Sequence, residues 1–474
     1  MTNNFQDVTA RHGPQDALEK GDLSKEEPVQ AAPSSKLHYH GVETRGIQPV
    51  PVEERLDSGC STPFWIWVSA SINIIAISTG LLGPLAFGLS ARDSCLVILF
   101  INSLCGIPPA YLYYGAMLPG LLNAVTLTGF CIPSVILGGQ TLVNARDDGN
   151  ISWSVGIVIM GLVAFLLSFC GYRFISWIGR MIRIPVCITI IIALGLGGKH
   201  FEDAPTVAPA SAVSVLSFAS VLAGFTLSFS PLSMDFTCCI RPGISSYFCA
   251  PTGVVLCIGA VFGATSLENA EWHEDYVNGN VGGLLAAVLR PLGGFGKFLV
   301  VVLSLSLVSN VAITVYSISL SMQTFLPVLL RVPRCVFSTL VTAIVIPLGI
   351  VGSHSFQVTL NNFLSIISYR VSAFVAIILI EHFVFRHGTF SSYDISQWDK
   401  PGKLPTGIST VTATVVSMGV AITCINHVWF VGPVAEKTGD IWFEVALVVS
   451  GLVYLPLRAI EKRWFLERSG LEGL

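Results

Sequence analysis

The residues best suited to binding a small molecule are amides and hydroxyls that lie inside long apolar segments of the chain. Asn73, Asn123 and Asn310 occur in three such segments, and Ser69 and Ser71 precede Asn73 in the first. An asparagine side chain offers both donors and an acceptor, which suits a flat amide-like or purine-like ligand. The same side chains could instead hydrogen-bond neighbouring helices, at about 0.6 kcal/mol per contact in a membrane. The sequence is consistent with both uses.

Two of the apolar segments are interrupted by helix-breaking residues at matching positions. The first contains STGLLGP at 78–84, and the sixth contains SFSP at 228–231. Many transporters hold their substrate where one helix in each of two inverted repeats is broken, because the freed backbone groups must line a cavity or bind a ligand. The two interruptions therefore predict a binding site between two halves of the molecule. A pair of ordinary proline kinks is the alternative.

Three further side chains could serve such a site. Phe229, inside the second interruption, could stack on a flat ligand or pack in the core. Asp235 follows it and could bind a coupling proton, act in gating, or cap a half-helix, because anions are favoured near helix N-termini. Arg370 lies in an apolar run, where a guanidinium is costly and needs a partner. Asp235 is a conceivable partner for it.

The elements that must position these residues are helices buried in lipid. Of the 474 residues 52% are hydrophobic and 12% are charged, against about 25% charged in soluble domains. Residues 94–145 carry no charge, and a spanning helix needs about 20 apolar residues. We predict an all-α membrane protein with twelve segments that cross the lipid bilayer. They lie at 64–88, 94–112, 117–140, 152–170, 175–196, 211–231, 247–265, 298–322, 336–352, 359–380, 408–426 and 442–457.

Lysine and arginine placement predicts the orientation. Beyond residue 60, thirteen of these cations fall on the side of the N-terminus and six on the opposite side. Because cytoplasmic loops are enriched in Lys and Arg, both termini are predicted to be cytoplasmic. Residues 1–60 are predicted to be a disordered tail, 61–464 the membrane domain and 465–474 a second tail. Within the outer loop 266–297, residues 281–289 are expected to form a short re-entrant or interfacial helix.

Other classes of function find little support. The net charge of −3 gives no indication of nucleic-acid binding. The sequence has no nucleophile elbow, HExxH motif or metal-spaced histidine cluster, so we expect neither an enzyme nor a metal or organic cofactor. The twelve cysteines are scattered through apolar runs and are interpreted as small hydrophobic residues. The oligomeric state is left open.

Long stretches of the chain resemble the fungal purine-cytosine permeases of the nucleobase-cation symporter 1 family. They include GVETRGIQPVPVEER before the first segment, GGQTL in the third and GDIWFEVA before the twelfth. The resemblance covers nearly everything after residue 40. It implies a LeuT-type 5+5 inverted repeat, with repeats at about 64–196 and 211–380, plus two extra helices at about 408–457. It also implies proton-coupled uptake of purine bases and cytosine at the plasma membrane.

The resemblance implies substrate positions in segments 1, 3, 6 and 8, the segments already singled out. Ser69, Asn123 and Asp235 match the family pattern, whereas Ser71 stands where the family has asparagine. The predicted substrate-binding residues are Ser69, Ser71, Asn73, Asn123, Phe229 and Asn310. Asp235 is predicted to act in proton coupling or gating, with H+ as the coupling ion.

Several departures from the family pattern keep alternatives open. Val311 replaces the second asparagine after Asn310, Gly179 replaces a glutamate near the fifth segment, and Arg370 replaces a tryptophan. About 20 residues of the family pattern are missing after Leu112. A transporter for another heteroaromatic compound, such as a nucleoside or a vitamin, and a degenerate membrane protein that no longer transports are the alternative hypotheses.

Overall fold

The computed structural model describes residues 68, 71–111, 120–146, 151–203, 209–228, 250–325, 329, 332–389, 407–427 and 430–469. The predicted tail 1–60 lies outside these residues, as does the junction after Leu112. The described part is almost entirely helical. Its helices are α1 (Ile74–Phe87), α2 (Ala91–Tyr111), α3 (Gly120–Asn144), α4 (Trp153–Phe169), α5 (Gly171–Gly197), α6 (Ala212–Leu227), α7 (Ala250–Ser266), α8 (Ala270–Leu289), α9 (Gly294–Phe325), α10 (Arg334–Gly352), α11 (Phe356–Ile380), α12 (Ile408–Ala421), α13 (Ala435–Thr438) and α14 (Trp442–Ser469).

Each of the twelve predicted segments overlaps one of these helices. Within the described ranges, five helical stretches are long and apolar enough to cross a membrane by themselves, and α7 and α8 qualify together as a pair bent by 115°. Four shorter apolar helices accompany them, among them α1 and α6. Large apolar side chains are exposed on the outer surface, such as Phe100 at 70% and Leu452 at 70%. These side chains are placed as lipid-facing residues of a membrane protein would be.

The centre of the molecule is built on α3 and α9, which pack along each other. Helix α9 is 32 residues long, and its serines and Thr314 are buried rather than exposed. Some of these hydroxyls are satisfied within the helix, since Thr314 and Ser319 donate to carbonyl oxygens four residues earlier, and Ser304 donates to the carbonyl of Gly138 in α3. Polar residues inside this helix therefore do not by themselves mark a ligand site.

The break in the first segment lies earlier than the sequence predicted. Helix α1 runs continuously through residues 78–84 with Pro84 inside it, and it begins at Ile74, after Asn73. Ser78 and Thr79 donate to the carbonyls of Ile74 and Ile75, in the ordinary pattern of hydroxyls in a helix. The prediction of a break at 78–84 was therefore wrong, and the interruption is at Ile72–Asn73.

The glycines of that stretch serve close helix packing instead. A Cβ on Gly80 would lie 1.9 Å from the carbonyl oxygen of Leu256 in α7, and one on Gly259 would lie 2.1 Å from the carbonyl oxygen of Ile77. The backbones of α1 and α7 approach each other too closely for side chains at these two positions. Small residues at helix contacts are a general device of membrane helix packing.

The loop 266–297 contains the expected helix, but this helix is buried in the protein. Helix α8 has a non-helical residue, Asn280, with φ 51° and ψ −147°, which bends it between an acidic first half and an apolar second half. In the second half Leu284 and Leu289 are fully buried. It packs against α3 and α9.

The C-terminal part adds α12 and α14, which pack on each other and against α11. A two-residue hairpin, β1 (Asn426–His427) with β2 (Phe430–Val431), and α13 connect them. Helix α14 continues to Ser469, beyond the predicted end of its segment at 457. Near its far end Arg458 donates to Glu381 at 2.8 and 2.9 Å, and Tyr454 donates to the same carboxylate at 2.9 Å.

Candidate functional site

Asn73 forms the start of α1. Its backbone is extended, with φ −152° and ψ 169°, and its side chain is fully buried. The amide oxygen accepts hydrogen bonds from the backbone N–H groups of Ile75 at 3.0 Å and Ala76 at 3.1 Å. Asparagine is a favoured N-cap because it satisfies donors that the helix itself leaves open. The side chain predicted to bind substrate is thus also the residue that ends the break.

Arg183 holds the other side of the break. It lies on α5, its side chain is fully buried, and its Nη1 donates to the carbonyl oxygens of Val68 at 2.8 Å and Ile72 at 2.9 Å. Ile72 itself donates its N–H to the carbonyl of Val68 at 2.9 Å, a hydrogen bond of the helical type, which is not continued at Asn73. Ser71, the residue before Ile72, is 3% exposed. Ser69 lies outside the described residues.

Asn123 joins α3 to α9. Its Nδ2 donates to the hydroxyl of Ser321 at 2.9 Å, and the side chain is 4% exposed. Its Oδ1 is buried and accepts no hydrogen bond from the described part of the chain. A buried carbonyl oxygen without a donor is costly. Asn123 therefore performs the helix-to-helix role and still has an acceptor to offer a ligand.

Asn310 lies near the middle of α9 and is 2% exposed. The helices that carry the three predicted asparagines contact one another: α1 packs against α3 and α9, and α3 packs along α9. The structure thus gathers Asn73, Asn123 and Asn310 on one set of touching helices. Their roles in substrate binding stay predictions.

The second predicted interruption begins where α6 ends at Leu227, followed by Ser228. Phe229 and Asp235 lie outside the described residues, so their predicted roles stay as they were. Two residues before Ser228, Thr226 donates to the amide oxygen of Asn102 at 3.1 Å, which ties the end of α6 to α2.

Arg370 lies on α11, with its guanidinium carbon 6.0 Å from the centre of the Phe374 ring. Its Nε and Nη2 are buried and have no hydrogen-bond partner among the described residues. The geometry is that of a cation–π contact at the limit of its range. Its conceivable partner Asp235 is outside the described ranges.

A second polar cluster surrounds Asp440, just before α14. The hydroxyl of Tyr369 donates to Asp440, the backbone N–H of Trp442 donates to it at 3.2 Å, and the hydroxyl of Ser217 on α6 accepts from the N–H of Asp440 at 3.0 Å. Burial raises the pKa of Asp440 above its usual range, and the hydrogen bonds that its carboxylate accepts from Tyr369 and Trp442 act in the opposite direction. The cluster links α6 and α11 to the start of α14.

A cavity of about 50 Å³ adjoins this cluster and is large enough for water. Polar side chains line it together with Phe87 and Val221, namely Ser217, Asn361, Ser365, Asn426 and Asp440. The Oδ1 of Asn361 is buried and has no donor among the described residues. Its volume and its polar lining suit water molecules better than a heterocyclic compound.

Sequence reasoning missed Arg183 and Asp440. Arg183 was counted with the cytoplasmic cations, although it lies six residues into an apolar stretch that spans 177–201. Its position inside a stretch able to cross a membrane was the available signal. Asp440 belongs to the GDIWFEVA motif, which served only to support the family resemblance.

A family model for permeases of cytosine/purines, uracil, thiamine and allantoin matches residues 113–445. The chain belongs to the cytosine/purine permease family. It is therefore a membrane transporter and not an enzyme. This cytosine/purine permease is 30% identical to the purine-cytosine permease fcyB of Emericella nidulans over 459 residues, which cover 90% of each chain. A purine-cytosine permease of Saccharomyces cerevisiae is 29% identical over 487 residues, covering 92% of this chain and 91% of its own.

The vitamin B6 transporter of Saccharomyces cerevisiae is also related to this permease, at 26% identity over 523 residues, covering 91% of this chain and 90% of its own. Among solved structures, Mhp1, a nucleobase-cation-symport-1 family transporter with bromovinylhydantoin bound, aligns with a TM-score of 0.62 and 15% identity, covering 89% of this chain and 95% of Mhp1. A Na+-coupled sialic acid symporter aligns with a TM-score of 0.51 and 12% identity, covering 85% of this chain and 91% of its own. At these identities the two structures show that the permease shares their fold.

Proposed function

We propose that this permease takes up purine bases and cytosine across the plasma membrane, in symport with protons and with both termini in the cytoplasm. The observation that carries the proposal is the 30% identity to a purine-cytosine permease over 90% of both chains. The buried asparagines on touching helices supply the chemistry that a nucleobase requires, because its ring edge alternates donors and acceptors.

We further infer that the helices form two inverted repeats, α1–α5 and α6–α11 without α8, followed by α12 and α14. The packing supports this division. Helix α1 packs against α7 while α6 packs against α2, and α3 packs against α10 while α9 packs against α4. When the two repeats are exchanged, the contact of α1 with α7 corresponds to that of α6 with α2, and the contact of α3 with α10 corresponds to that of α9 with α4. In such folds the substrate lies between the repeats, near the broken helices.

Within this scheme Asn123 and Asn310 would bind the edge of the base, and Phe229 would stack on its face. Asn123 supports its part, because its amide oxygen is buried and has no donor in the described part of the chain. Ser69, Ser71 and Asn73 would complete the site from the break in the first segment. Asp235 would bind the coupling proton or control gating, so that the membrane potential and the pH gradient drive inward transport.

A vitamin-B6-like heteroaromatic substrate is the second candidate. The relationship to a vitamin B6 transporter over 91% of this chain favours it. The apolar Val311, which stands beside Asn310 where the family pattern has asparagine, also favours a substrate other than a nucleobase.

The experiment is uptake of labelled cytosine, adenine and pyridoxine in fungal cells that lack their own permeases for these compounds. A tagged copy is first located at the plasma membrane, and uptake is measured at acidic and neutral external pH. Saturable uptake of cytosine or adenine that is stronger in acid supports the proposal. Uptake of pyridoxine alone supports the second candidate, and uptake of none of the three contradicts both.

Asn310→Ala tests the site itself and is expected to abolish base uptake while surface expression persists. Thr314→Ala is the matched control, one turn further along α9, because its hydroxyl is satisfied by the carbonyl of Asn310 within the helix. It should transport like the unaltered protein. Unchanged uptake by Asn310→Ala would remove this residue from the site.

A further inference from the structure

Arg183 is a charged residue placed where charges are most costly. It lies in the stretch 177–201, which is long and apolar enough to cross a membrane, and its side chain has no exposed surface. A guanidinium in such a place requires acceptors that compensate for the lost water. Ionisable residues inside a membrane span are usually functional.

The break in the first segment provides those acceptors. In a continuous helix the carbonyl of Ile72 would accept from the N–H of Ala76, four residues later. That N–H donates instead to the side chain of Asn73 at 3.1 Å. The carbonyl of Ile72 is thereby released, and Nη1 of Arg183 binds it at 2.9 Å together with the carbonyl of Val68 at 2.8 Å.

Carbonyl oxygens freed by a break in a membrane helix are a site for a cation. In transporters with broken helices they coordinate the coupling Na+. Here a cation is present already, covalently attached to α5. Because it cannot dissociate, it cannot enter and leave with each transport cycle as a bound ion does.

We propose that Arg183 is a resident cation that occupies the carbonyl site of the broken first helix, which makes this permease independent of sodium. Arg183 is a positioning residue: it holds the carbonyl groups of Val68 and Ile72 against α5 and thereby sets the geometry of the break. The inference rests on the proposed uptake function only in the transport experiment below. The second experiment measures cation binding by the purified protein and does not depend on transport.

The transport test compares uptake of labelled cytosine in sodium chloride and in choline chloride at one pH and one ionic strength. The unaltered protein should transport equally in both. Arg183→Ala should lower uptake by about tenfold or more, because charge-assisted hydrogen bonds at the break are lost. Millimolar guanidinium ion should restore part of it, and Arg183→Lys should retain part of it. Arg180→Ala, one turn earlier on α5, is the control that guanidinium should not affect.

The binding test measures thermal unfolding of the purified, tagged protein in detergent. The unaltered protein should unfold at the same temperature in sodium and choline chloride, whereas Arg183→Ala should unfold earlier and be stabilised by low concentrations of guanidinium or sodium. Sodium-specific stabilisation of the unaltered protein would overturn the proposal. So would an Arg183→Ala variant that unfolds at the same temperature as the unaltered protein and is stabilised by neither guanidinium nor sodium. A protein that transports no base yet shows the expected cation response contradicts the proposed function alone.

Discussion

Replacing Asn73 by alanine should destabilise the permease by removing the acceptor for two buried backbone donors. The amide oxygen binds the N–H groups of Ile75 at 3.0 Å and Ala76 at 3.1 Å. Loss of an N-cap costs about 0.5–2 kcal/mol, and a buried donor left without a partner costs about 1–3 kcal/mol. Because both estimates describe the loss of the same hydrogen bonds, they are not added, and we expect the free energy of unfolding to fall by about 1–3 kcal/mol.

Asn73→Ser is the matched variant, since serine caps helices about as well as asparagine but lacks the amide. Thermal unfolding in detergent and uptake of labelled base are measured for both variants. Asn73→Ala should unfold well below the unaltered protein, and Asn73→Ser should recover most of the difference. Recovery of stability without uptake would assign the amide to substrate binding as well. An Asn73→Ala variant as stable as the unaltered protein would refute the capping argument.

Three further predictions concern packing, ionisation and ion pairing. Gly80→Ala should cost about 1–3 kcal/mol or more, because its Cβ would lie 1.9 Å from the carbonyl oxygen of Leu256, whereas Gly195→Ala, with no atom within 4 Å, should be neutral or stabilising in thermal unfolding. Burial raises the pKa of the Asp440 carboxyl group, so the stability that the protonated group contributes should be lost as pH rises through that raised pKa. Asp440→Asn should flatten this part of the curve of unfolding free energy against pH. An unchanged curve would contradict the assignment. Glu381→Gln should destabilise by about 2 kcal/mol, because the largely buried Arg458 loses its charged partner at Glu381 and keeps, among the described residues, only its ion pair with Glu461. Glu271→Gln, in an exposed pair with Arg290, should change stability by about 1 kcal/mol or less. Equal effects of the two substitutions on thermal unfolding would contradict this reasoning.

The helices were predictable because hydrophobicity in a lipid-facing chain is a local property. Each predicted segment overlaps a helix, and errors concentrate at ends, as in α14, which continues to Ser469. The break in the first segment was misplaced because glycine and proline are ambiguous. Gly80 lets α1 approach the backbone of α7, and this use depends on Leu256, 176 positions further along the chain. Nothing local distinguishes a glycine that breaks a helix from one that admits a neighbour.

The site was predictable in its residue types and less so in its arrangement. Amides inside apolar segments identified Asn73, Asn123 and Asn310, and the structure places all three on helices that touch. The sequence did not indicate that the oxygen of Asn73 caps α1 or that the Nδ2 of Asn123 binds Ser321. Both uses depend on backbone geometry or on a partner almost 200 residues away.

The break itself is the product of a local and a distant interaction, and each accounts for what the other leaves open. Asn73 supplies the local part. Its side chain accepts the hydrogen bond from the N–H of Ala76 that the carbonyl of Ile72 would accept in a continuous helix, so this carbonyl loses its helical partner in an apolar interior. Arg183 supplies the distant part, because its guanidinium binds that carbonyl and thereby compensates its own burial. Neither group would be stable there alone, since a buried carbonyl and a buried cation are each costly without a partner. A permease can therefore keep an unwound segment, with its polar backbone available for a ligand, without a glycine or proline at residues 71–73.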